Sequence, residues 1–158
     1  MISLKKNNKG FTIVELLIVI VVIGILALLV VTTYGGIQAK ARNAKRSADM
    51  SAVQTQLEAF FSQNAYYPSL ADMNSATWLS TNMKSLDTGA LIDPSNATQS
   101  KTLVANAIGV AKSYAYNVSD SSSASCETTD TNCAQYSLIA TYEGTVNGAA
   151  TVTKKNLD

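Results

Sequence analysis

Residues 16–31 carry no charged and no strongly polar side chain, and this stretch constrains the chain more than any other. Counted from Phe11, the apolar segment reaches about 20 residues, the length a helix needs to cross a hydrocarbon core roughly 30 Å thick. One residue is out of place in it. Glu15 puts a carboxylate at the head of the segment. A charge held in lipid is costly, so an acid retained there marks a function. Lys5, Lys6, Lys9 and Gly10 stand just ahead of the segment, with no acid among residues 1–10.

Lys9-Gly10-Phe11-Thr12-Ile13-Val14-Glu15-Leu16 resembles the N-terminus of type IV pilin and type II secretion pseudopilin precursors. The resemblance implies a leader peptide over residues 1–10, cut after Gly10 by a prepilin peptidase on the cytoplasmic side. It implies N-methylation of the new terminus, Phe11. It gives Glu15 the task of setting the register of an incoming subunit by pairing with a neighbour's N-terminal ammonium. A conventional secretory signal has its apolar core before the cleavage site and loses it. Here the glycine comes first, so the apolar segment is retained after cleavage. The lysines at the N-terminus favour keeping that end in the cytoplasm, whereas Lys40, Arg42, Lys45 and Arg46 beyond the segment argue the reverse. The resemblance decides for the N-terminus inside and the C-terminal domain outside.

Residues 37–64 contain neither proline nor glycine. Met50, Val53, Leu57, Phe60 and Phe61, extending toward Asn64, recur at spacings of three and four, which predicts an amphipathic helix with one apolar stripe. Joined to residues 11–36 it predicts one helix of about 50 residues, roughly 80 Å at the usual rise. Its apolar half is too long for one small head to bury, so it needs lipid first and other helices afterwards. Gly24, Gly35 and Gly36 weaken the helix. Many pilins carry a proline where this chain has Thr32, so a bend must come from the glycines or from threonines bonding back to the helix. The cluster Lys40, Arg42, Lys45, Arg46 reads either as a solvated face or as a contact for anionic headgroups or a neighbouring subunit. Tyr67-Pro68 should end the helix near Asn64, and that aromatic-proline element adds to the resemblance.

Residues 65–158 read as a head. Leu70, Met73, Trp78, Leu79, Met83, Leu86, Leu91 and Ile92 suggest a loop with one or two short helices over the long helix, Trp78 serving as a core anchor. Asp93-Pro94 suggests a turn. Residues 113–118 and 136–142 alternate as strands do, and Asn147-Gly148 signals a hairpin after a turn at Glu143-Gly144. The predicted fold is therefore α+β and pilin-like: one long N-terminal helix on a small antiparallel sheet of three or four strands. Cys126 and Cys133, an even pair in a domain that leaves the cytoplasm, predict a disulfide closing a small ring over residues 126–133 within a serine-rich surface loop over residues 119–133. The resemblance to secretion pseudopilins raises calcium, for which Asp120, Glu127 and Asp130 supply oxygens, but the spacing fits no EF-hand loop. Asn96-Ala97-Thr98 and Asn117-Val118-Ser119 fit the glycan-acceptor pattern, one that chance also supplies.

Composition narrows the function further. The chain has no histidine, and no Walker loop, Gly-x-Ser-x-Gly or metal-spaced cysteine cluster. Catalysis therefore has no foothold, and no cofactor is expected. Without residues 1–10 the chain holds 9 basic against 11 acidic side chains, too little positive charge for a general nucleic-acid footprint. The resemblance implies as partners copies of the chain, the prepilin peptidase, membrane lipid before assembly, and an inner-membrane assembly platform driven by a separate ATPase. A surface type IV pilus supporting adhesion, motility or DNA uptake is the leading expectation. A type II secretion pseudopilus, or a minor subunit acting as adhesin or DNA receptor, is the alternative.

Overall fold

A computed structural model describes residues 10–105, 109–128 and 131–157, with the backbone alone at Thr32. Of the leader expected over residues 1–10, residues 1–9 lie outside the described residues. In chain order the elements are α1 (Ile13–Asn64), α2 (Leu70–Asn74), α3 (Ala76–Asn82), a 3-10 turn (Thr88–Leu91), β1 (Tyr114–Ser119), β2 (Gln135–Val146) and β3 (Ala149–Lys155). The chain divides into two compact units, Met1–Gln38 and Ala39–Asp158.

In the first unit α1 is helical through Gly24, Gly35 and Gly36. A Cβ at any of these glycines would meet nothing within 4 Å, so no close approach requires them. The Thr33 hydroxyl donates to the Leu29 carbonyl at 2.7 Å, the back-bonding expected of a threonine in this region. Every described apolar side chain from Ile13 to Val31 is exposed. By length and composition this helix is long and apolar enough to cross a membrane.

In the second unit the stripe predicted for α1 is buried: Met50, Val53 and Leu57 are fully enclosed, Phe60 nearly so and Phe61 partly. Asn64 is exposed and does not extend the stripe. The sheet is antiparallel with strand order β1-β2-β3. Register pairs Tyr114 with Ala140, Tyr116 with Leu138 and Val118 with Tyr136, so these six side chains share one face. That face meets α1 and is tied to it by phenols. Tyr114 donates to Asp49 at 2.9 Å, Tyr136 donates to Glu58 at 2.7 Å, and Tyr142 shares a bond with Ser47 at 2.7 Å. Ala115 and Ile139, on the other face, are also buried. Val104 pairs alongside Ala115 there, and Gly109, at φ +87°, lies so close to the sheet that a Cβ would sit 2.9 Å from the Thr141 hydroxyl.

Asn147 and Gly148 take φ of 51° and 81°, the pair of positive values that a two-residue hairpin turn needs. Glu143-Gly144 does not turn the chain. β2 runs through both residues, and a register shift between Thr141 and Val146 absorbs the positive φ of Gly144. Two short helices form in the connecting segment, as expected. Ser69 and Asp72 cap α2 reciprocally, and Ser75 caps α3. Trp78 is half-buried against Phe60, ring centroids 5.3 Å apart, in keeping with an anchoring role.

The Cys126–Cys133 disulfide is present. Its surroundings correct the expectation of a simple surface loop, because both cysteines are buried. Tyr67 N–H donates to the Cys133 carbonyl at 2.8 Å, and Leu70 N–H donates to the Cys126 carbonyl at 3.1 Å. The ring is thus docked on the segment that follows α1, while Ser121, Ser122, Ser123 and Ser125 remain exposed.

Candidate functional site

The candidate site is the start of α1. Gly10 and Phe11 precede the helix and are exposed, Phe11 by 83%. Thr12 and Glu15 build the helix start between them. The Thr12 hydroxyl oxygen accepts from the Glu15 N–H at 3.2 Å. The Glu15 carboxylate accepts in return from the Thr12 N–H and hydroxyl, both at 3.4 Å. This is a capping box, in which two otherwise orphaned donors of the first turn are satisfied reciprocally. An acid in the first turn also faces the positive end of the helix dipole. The arrangement sets the scissile bond expected between Gly10 and Phe11 in non-helical backbone, two residues ahead of the first helical one. Sequence reading singled out Gly10, Phe11 and Glu15 but missed Thr12, although Thr-x-x-Glu ahead of an apolar run was there to be read.

The basic cluster on α1 is not one face. Lys40 is exposed, whereas Arg46 is 1% exposed and its guanidinium is directed mainly at residues of the head. Its guanidinium donates to both Asp93 oxygens at 2.8 and 2.9 Å, to Ser95 and Asn43 at 2.7 Å, and to Glu143 at 2.9 Å. Arg42 donates through two nitrogens to the same Glu143, and Lys45 pairs with Asp49 at 3.0 Å. The reading of this cluster as a solvated or lipid-facing surface is therefore corrected for Arg46, which is an internal cation. Asp93, expected only to begin a turn, is its buried counter-ion. The hydrogen bonds from Arg42, helped by Ser95 and Arg46, bring the Glu143 carboxyl down to about 2 against desolvation. Burial works against the Arg46 charge, and its bonds to Asp93 and Glu143 outweigh that effect. Burial first, and then the neighbouring carboxylates Asp49 and Glu58, push the Tyr114 and Tyr136 phenols upward.

Of the three oxygens proposed for calcium, Asp120 accepts from the Ser122 and Ala124 N–H groups at 2.8 Å, and Glu127 accepts from the Ser125 hydroxyl at 3.2 Å. Asp130 lies outside the described residues. Among the described residues no three of His, Cys, Asp and Glu come together as a metal site.

The start of α1 is thus an exposed, capped helix of membrane length with a single acid in its first turn. Comparison with known proteins finds similarity over part of the chain. The prokaryotic N-terminal methylation motif matches residues 5–31. Type II secretion system core protein G of Dickeya chrysanthemi is 37% identical over 65 residues, covering 41% of this chain and 42% of that protein. Type IV major pilin protein PilA of Myxococcus xanthus is 34% identical over 66 residues, 42% of this chain and 30% of that protein. Core protein G of Escherichia coli K12 is 39% identical over 62 residues, 39% and 43% of the two chains. The chain thus spans less than half the length of the curated relatives it matches. No solved structure gives a significant match.

Proposed function

We propose that the chain is a structural subunit of a type IV pilus. The precursor enters the cytoplasmic membrane with its N-terminus inside and its head outside. A prepilin peptidase cuts after Gly10, Phe11 is N-methylated, and subunits polymerise through their N-terminal helices into a surface filament. The observation that carries this reading is the run of apolar side chains from Ile13 to Val31, all of them exposed among the described residues. Lipid covers them before assembly, and copies of the same helix cover them afterwards. Glu15 then needs a cation, and a neighbour's N-terminal ammonium supplies it. The energy for extension comes from a separate ATPase on an assembly platform, and the subunit itself does no catalysis.

A second reading, a type II secretion pseudopilin, is favoured by the matches to core protein G. The two part on phenotype: loss of the chain removes surface fibres in the first case and exoprotein release in the second. Replacing Glu15 by Ala should collapse the yield of sheared fibres while the cleaved monomer persists in the membrane. An unchanged fibre yield would remove the assembly role of Glu15.

A further inference from the structure

Two Asn-x-Ser/Thr triplets lie in the head, and the fold treats them differently. Asn117 sits within β1, half-buried and in register with Ser137, toward whose hydroxyl its Nδ2 points at 3.4 Å. Its neighbours Tyr116 and Val118 are buried, so modifying it means unpairing the strand.

Asn96 sits on the loop between the 3-10 turn and β1. Its Oδ1 accepts from the Thr98 N–H at 3.0 Å and from the Thr98 hydroxyl at 2.7 Å. Its Nδ2 keeps one long bond, to the Ser100 carbonyl at 3.3 Å. Residues 97–100 are exposed. The root of the loop is held firmly: the Asn96 N–H donates to the carbonyl of Asp93, which is clamped by Arg46. The carboxamide is therefore presented on an exposed turn, oriented by the hydroxyl that the acceptor pattern requires.

We propose that Asn96 is an acceptor for an N-linked glycan, donated by an oligosaccharide activated as a lipid diphosphate. That it meets such a donor outside the cytoplasm rests on the export of the head proposed above. In the transfer, Nδ2 of Asn96 forms a bond to the anomeric carbon as that carbon's bond to the diphosphate oxygen breaks. The lipid diphosphate leaves with the bonding pair, and the Nδ2 proton passes to a base of the transferase. A glycan is bulky and solubilising, and on this loop it would coat the head without disturbing the sheet.

The test uses the full chain in detergent micelles, with a purified N-oligosaccharyltransferase and a lipid-diphosphate-linked oligosaccharide. Intact mass should rise by one oligosaccharide, mapping to Asn96. Asn96→Gln and Thr98→Ala should abolish the gain, while Thr98→Ser and Asn117→Gln should keep it. A glycan on Asn117, a gain that survives Thr98→Ala, or modification only after unfolding in urea would overturn the assignment. The reaction needs neither cells nor fibres, so its failure removes Asn96 as an acceptor and leaves the filament reading intact. Absence of fibres in cells does the opposite.

Discussion

Thr12 and Glu15 show how much one side-chain pair settles. Together they start α1 at Ile13 and leave Gly10 and Phe11 outside it. Losing such a cap costs about 1 kcal/mol. Thr12→Ala should therefore raise amide hydrogen exchange at Glu15 in micelles, and Thr12→Ser should restore protection. Equal exchange in all three proteins would exclude the cap. Glu143 sets an acid limit on the head. Its carboxyl is lowered from 4.5 to about 2, first by its hydrogen bonds with Arg42. A lowered folded value means that this contribution to stability is complete above pH 4.5 and is lost as pH falls toward 2. The tyrosines act in the opposite sense. Tyr114 and Tyr136 are raised above 10, so their contribution is complete below pH 10 and is lost as the solution becomes more alkaline. Thermal unfolding across the acid range should show a slope that Glu143→Gln flattens; an unchanged slope would assign acid sensitivity to other groups.

At the scale of elements, the second unit is held by two unlike parts of α1. The apolar stripe from Met50 to Phe60 packs on the sheet, and Arg46 plugs into Asp93 and Glu143 a turn earlier. Removing Arg46 takes a cation from two carboxylates, one of them fully buried, at about 3–5 kcal/mol, whereas Asp49, buried beside the half-exposed Lys45, keeps the Tyr114 hydroxyl when Lys45 is lost. Arg46→Ala should therefore lower the denaturation midpoint of the head far more than Lys45→Ala, whose side chain is half exposed. Equal losses would show that burial does not govern the pair. This contrast also marks where sequence reading stops. The stripe, the end of α1 before Pro68 and the Asn147-Gly148 hairpin were legible because each is written within a few neighbouring residues. Arg46 was not, because its partners lie 47 and 97 positions away and a cation on a helix ordinarily faces water. Glu143-Gly144 was misread because a glycine that relieves a register shift looks the same in sequence as one that makes a turn. The start of α1 was legible except for Thr12, whose spacing to Glu15 carries the capping signal in plain view.

At the scale of the whole molecule, the second unit has its own core, and the apolar side chains from Ile13 to Val31 are exposed among the described residues. Burial of apolar surface is worth about 25 cal/mol per Å², and in the proposed function this term drives insertion into lipid and then association with copies of the same helix. The most direct measurement is mass spectrometry and N-terminal sequencing of the subunit recovered from sheared surface fibres. The account predicts a chain that starts at methylated Phe11, within a polymer. Recovery of the chain as a secreted monomer with residues 1–10 still attached would contradict it.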